Sequence, residues 1–127
     1  MAYESDLESV SLIASGDLSG LQHRIVDLLA VNHKCGVAGA NGGYGVLQNK
    51  PKDGEHATVG VEGVSMVRVG GAVTVGQYCT SAASGWGTTV TSGAGQTVIG
   101  RYMTSAASGM LASVDINKFY RPNSVGN

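Results

Sequence analysis

The sequence predicts an all-β fold, a small single-domain barrel or sandwich of short antiparallel strands with an extended N-terminal arm. Three observations carry that expectation. Val59, Val61, Val67, Val69, Val73 and Val75 stand at alternate positions, the period that sends side chains to one face of a strand. Pro51, Asp53-Gly54 and Gly70-Gly71 punctuate the apolar runs, and a missing amide hydrogen or a positive φ suits strand ends and tight turns. With one Trp and one Phe in 127 residues, the core must come from Val, Leu, Ile, Ala and Met, which favours thin β layers.

The chain divides into an arm (1–20), a β domain (21–116) and a tail (117–127). The arm is acidic, with Glu4, Asp6, Glu8 and Asp17 and no Lys or Arg before Arg24. Ser9 to Ala14 alternates weakly, so the arm is expected to be disordered when free and to add a strand to a partner's sheet edge. Completion of the domain's own sheet, or exchange between protomers with the arm meeting Lys118 and Arg121, are the alternatives. Leu18, Leu21, Ile25, Leu28 and Leu29 lie near helical spacing behind Asp17, whereas Arg24 to Leu28 alternates as a strand, and periodicity leaves both open. A strand at Lys34 to Ala38 leads into a glycine-rich loop, Gly39 to Gly43. That loop lacks the GK[ST] ending of a phosphate cradle and reads as a flexible hairpin.

Between Val61 and Val64 the valine phase slips, which places a bulge or tight bend at Glu62-Gly63. Gly63 and Gly70-Gly71 are expected to be fixed by a need for positive φ. The second half repeats itself: Gly76 to Gly85 (GQYCTSAASG) returns as Gly100 to Gly109 (GRYMTSAASG), 24 residues later. Each copy reads as a strand (Thr74-Val75, Val98-Ile99) entering through Gly and Tyr and leaving by a small-residue turn. The last strand is Met110 to Ile116, and a basic, aromatic tail follows.

Taken in order, GVLQNKP, a DGE turn, GVSMVRVGGAVTVG, TSAAS, VIG and a second TSAAS resemble the head decoration, or capsid cement, proteins of tailed bacteriophages. The likeness runs from Leu21 to Ile116 and is strongest from Gly45 to Gly76. It implies a β-rich domain that binds the outside of the assembled major capsid lattice as a small homo-oligomer, a trimer or a dimer, and stabilises the mature head. The strand that the family places near Arg24 to Leu28 decides the helix question there in favour of a turn and a strand. The protein would be made in the host cytoplasm and carried on the outer capsid surface. Tyr3, Glu4, Asp6, Glu8, Val10 and Leu12 of the arm are the expected capsid contacts.

Composition agrees with a partner-covered protein. Charged residues make up 13% of the chain, against about 25% in ordinary globular chains, and so bare a surface suits burial against copies or a larger partner. A net charge of −1 without a basic run leaves nucleic acid no electrostatic footprint. The N-terminus lacks the basic and apolar regions of a secretory signal, and no apolar run reaches the roughly 20 residues of a membrane span.

Catalytic, cofactor and metal sites are expected to be none. His23, His33 and His56 have no partner at triad or metal spacing, and no GxSxG occurs. His33 and Cys35 flanking Lys34 are the sharpest enzyme candidate, and Asp53, Glu55 and Glu62 are explained by solvation. Cys35 and Cys79 read as reduced, buried thiols, with a bridge between them left to geometry. Tyr78, Trp86 and Tyr102 are the candidate oligomer or capsid interface, since aromatic residues with a polar tip concentrate where proteins meet. If the three formed one flat exposed row, a carbohydrate-binding or host-surface adhesion module of a phage particle would be the reading instead.

Overall fold

A computed structural model describes residues 5–91 and 96–117, with side chains from Leu7 onward. Its strands are β1 (Ser5–Ala14), β2 (Ile25–Leu28), β3 (Lys34–Val37), β4 (Gly45–Leu47), β5 (His56–Arg68), β6 (Tyr78–Ser81), β7 (Gly87–Thr89), β8 (Gly100–Tyr102) and β9 (Leu111–Ile116), with one short 3-10 turn at Ala83–Gly85. The protein is all-β.

The strands form one sheet in the order β1-β3-β2-β4-β5-β9-β8-β6-β7, and a further β1–β5 pairing closes its first part into a ring. The 13-residue β5 serves two rings. Its first half pairs with β1 and β4, and its second half with β9. Beyond β9 the sheet returns to the end of β5 through a bridge between Val69 and Gly87. That bridge is parallel, as is the β1–β3 pairing of Ile13 and Ala14 with Lys34 and Cys35; the other strand pairings are antiparallel.

Two core clusters result, and the second also takes in Ile25 of β2 and Val46 of β4. Leu12, Ala14, Val26, Cys35, Leu47 and Val59 fill the first, and Val67, Val69, Cys79, Tyr102, Val114 and Ile116 belong to the second. Burying each such aliphatic side chain contributes about 1.5–3 kcal/mol. Between the two clusters along β5 lies Ser65, fully buried, whose hydroxyl accepts a 2.9 Å hydrogen bond from Gln48 Nε2. The same Gln48 amide donates to the Val46 carbonyl at 2.9 Å, so a satisfied polar pair fills an inward position of β5.

Several expectations are corrected by this architecture. The arm is not free in the structure: residues 5–14 are a strand of the domain's own sheet, in register from Ser9 opposite Gly60 to Ile13 opposite His56. Leu12, Ala14 and Leu18 are buried there, and that apolar surface holds the segment in place. Gly60 makes room, since a β carbon on it would stand 2.9 Å from Leu7 Cδ1. Tyr3 and Glu4 lie outside the described residues, as do Lys118 and Arg121 of the tail.

The valine phase does not slip. Ala57, Val59, Ser65, Val67 and Val69 are all buried, so inward parity runs straight through, with Val64 on the outer side. Gly63 does take a positive φ of 105°, beside register irregularities opposite Glu8. Gly70 and Gly71 do not; what constrains Gly70 is Trp86, whose Cβ would stand 2.8 Å from an added β carbon.

The strands lie within the repeated segments, at Tyr78–Ser81 and Gly100–Tyr102, and not at Thr74-Val75 and Val98-Ile99 before them, because β6 and β8 pair with each other there. The Gly39 to Gly43 loop is a crossover: β3 and β4 both pair with β2, and Ser81 Oγ pins the loop by accepting from Gly42 N at 2.9 Å and bonding to the Gly39 carbonyl.

Candidate interaction surfaces

The three aromatic candidates go to three different environments. In the β6–β8 register Tyr78 is opposite Arg101, not Tyr102. Directly opposed residues share a face and neighbours along a strand do not, so the offset sends the two equivalent tyrosines to opposite sides. Tyr78 is 41% exposed, with the Arg101 guanidinium 5.3 Å from its ring centroid. Tyr102 is buried in the second core, and its hydroxyl donates to the Thr88 carbonyl at 2.8 Å. Burial, and then the neighbouring Cys79, push its phenol well above the usual range. Tyr102 is therefore a core residue and not an interface residue. The flat row asked for by the adhesion reading does not exist.

Trp86 is held half-buried by the turn before it. Ser84 has a φ of 63° and Gly85 one of 76°, and a β carbon on Gly85 would stand 2.5 Å from the Ile25 carbonyl oxygen. Over the indole lies Arg24, its guanidinium 3.9 Å from the ring centroid and its Nη1 donating to the Ser84 carbonyl at 3.3 Å. Such stacking contributes about 0.5–2 kcal/mol, more when desolvated. Arg68 lies near enough that its charge, after the effect of burial, lowers the Arg24 pKa.

Of the arm candidates, Val10 is partly buried against the first core and Leu12 lies in it, with an edge on the groove at the end of the first ring. Glu8 is exposed and stands directly opposite Glu62 across the β1–β5 pairing. Asp6 is described only as part of β1.

A surface missed from sequence lies at the end of the first ring. Leu28, Leu29 and Val31 are 50%, 39% and 56% exposed. With Leu12, His33 and Lys34 they line a shallow groove of about 430 Å³. The signal was the unbroken apolar run Leu28-Leu29-Ala30-Val31; the chain turns there, with His33 at a φ of 62°.

Groups that chemistry would need are scattered. Among the described residues no cluster of three or more His, Cys, Asp or Glu could hold a metal ion. Cys35 and Cys79 are free thiols buried in different cores, and burial pushes the Cys79 thiol up to about 12. Ser11 Oγ and His56 Nδ1 stand 3.0 Å apart on an exposed face.

Among the described residues the exposed features of this β body include an apolar groove and a stacked cation. The chain belongs to the phage cement protein family, which it matches over residues 6–116, and so to the capsid-associated structural proteins of bacteriophages. The match takes in β1 as well as the rest of the sheet. The fold is similar to that of the head fiber gp8.5 N base of bacteriophage phi29, with a TM-score of 0.68 and 18% identity over 87% of this chain and 94% of that one. No curated protein matches the sequence.

Proposed function

We propose that the protein binds the outer surface of the assembled major capsid lattice as a homo-oligomer, in threefold form, and ties neighbouring capsomers together in the mature head. The observation that carries this reading is the family match across nearly the whole described sheet. The role is mechanical and involves no catalysis, cofactor, nucleic acid or membrane. A ligand that binds the expanded lattice in preference to other states stabilises that lattice by mass action, and many copies multiply a modest contact. Synthesis in the host cytoplasm followed by addition to the outside of the head completes the picture.

Because Leu12 belongs to the core and Val10 packs against it, the capsid contact moves from the arm to the exposed end of β2 and β3. Leu28, Leu29 and Val31 are its anchors. Removing apolar area from water contributes about 25 cal/mol per Å². Co-sedimentation with purified mature heads tests the proposal. The parent chain is expected to pellet with heads, whereas Leu28→Asp and Val31→Asp, folded by circular dichroism, are expected to lose most of that binding. A parent chain that stays in the supernatant overturns the function; variants that bind as the parent does overturn only the choice of surface.

A further inference from the structure

Two pairs of like charges stand on this protomer, and none of the four groups makes an ion pair with another described residue. The first is anionic. Glu8 and Glu62 face each other directly across β1 and β5, both exposed, an arrangement that destabilises an antiparallel pair. The second is cationic. Arg24 lies over Trp86 with its Nε buried and without an acceptor, and its charge feels that of Arg68. Arg68 Nη1 donates to the Gly109 carbonyl at 2.8 Å, which leaves most of its donors uncommitted.

The surroundings of the cationic pair are those of an interface centre. Met110, 59% exposed, follows the carbonyl that bonds Arg68, and Val37, 39% exposed, lies beside the Gly85 turn that carries Trp86. Trp, Arg and Met are the residue types that concentrate in interface cores. Gly70, Ser84 and Gly109 around them offer almost no side chain to hold a partner away.

The two pairs cannot neutralise each other within one chain. Glu62 and Arg68 are six residues apart on β5, about 20 Å at strand rise, well beyond the roughly 8 Å screening length at physiological salt. Between copies nothing forbids contact.

We infer that the Glu8 and Glu62 carboxylates of one copy dock on the Arg24–Trp86–Arg68 platform of the next, as a head-to-tail interface of the homo-oligomer. Carboxylate and guanidinium meet in a fork of two parallel hydrogen bonds, which fixes orientation as well as strength. A contact between two different patches is heterologous and closes into a ring when its rotation allows. The inference rests on the self-association in the proposed function and deepens it.

Charge exchange tests it, by sedimentation velocity of the full chain without heads. Glu62→Lys and Arg68→Glu are each expected to weaken self-association about tenfold or more, since juxtaposed like charges cost several kcal/mol. The double variant is expected to return to within about threefold of the parent, because the pair is restored with its polarity reversed. Glu62 is exposed, so Glu62→Lys remains informative even if Arg68→Glu fails to fold; Arg68→Gln then replaces the second variant, with weakening and no rescue expected. A folded Glu62→Lys that associates as the parent does overturns the interface while leaving the oligomer standing. A double variant no better than the weaker single also overturns it. A parent chain that is monomeric at about 100 μM removes self-association itself, whether or not it still binds heads.

Discussion

Gly70 and Gly71 are adjacent, chemically identical and equally plausible as turn glycines, yet the structure separates them. An added β carbon on Gly70 would stand 2.8 Å from Trp86 Cβ and 3.0 Å from Trp86 Cγ, whereas one on Gly71 would meet nothing within 4 Å. Neither residue has a positive φ. Gly71→Ala is therefore expected to stabilise the protein by about 0.4–1 kcal/mol, through the smaller conformational freedom it leaves the unfolded chain. Gly70→Ala has the same advantage but forces an overlap costing about 1–3 kcal/mol, for a net loss of about 1–2 kcal/mol. For a chain of 127 residues the entropy of unfolding makes 1 kcal/mol about 4 °C in Tm. Gly71→Ala should thus melt about 2–4 °C above the parent and Gly70→Ala about 4–8 °C below it, by calorimetry at one protein concentration. Trp86 is the sole tryptophan, so its fluorescence should change in Gly70→Ala alone. Equal shifts in both variants, of either sign, would refute the assignment of Gly70 to the Trp86 contact.

Two further outcomes follow from buried polar groups. Tyr102→Phe leaves the Thr88 carbonyl without its 2.8 Å donor and should lower the denaturation midpoint by the equivalent of about 1–3 kcal/mol. The Cys79 thiol, pushed up to about 12 from 9.0 by burial, keeps its proton in the folded state while the unfolded chain releases it. Its contribution to stability is therefore complete below pH 9 and falls as pH rises from 9 toward 12, by about 1.4 kcal/mol per unit for one group. Cys35 and Tyr102 shift in the same direction. Urea titrations at pH 8 and pH 10.5 check the sign, and a thiol reagent should label both cysteines only after unfolding.

Much of the fold was legible because strand periodicity is local. Alternation identified β5 and β9, and turn residues placed strand ends at Pro51 and at Asp53-Gly54, where Gly54 takes a φ of 84°. A run of residues can state its own period without reference to the rest of the chain. The resemblance to cement proteins likewise rested on strands and turns in a fixed order, and the family match extends it to residue 6. What the sequence could not state was pairing. Whether Ser5–Ala14 lies on its own sheet depends on Gly60 and Val59, some fifty residues away, which accept Leu7 and Val10. Tyr78 and Tyr102 have the same local sequence, and a one-residue offset between β6 and β8 alone makes one a surface residue and the other core. The same holds for both candidate surfaces: the exposure of Leu28, Leu29 and Val31 depends on the turn between β2 and β3, and Arg24, Arg68 and Trp86 come together only when the end of β5 reaches β7 through the Val69–Gly87 bridge. Local chemistry determined which segments are strands and where they turn. Long-range register determined which faces they show, because side chains alternate with a period of two and a single step of register exchanges inside for outside.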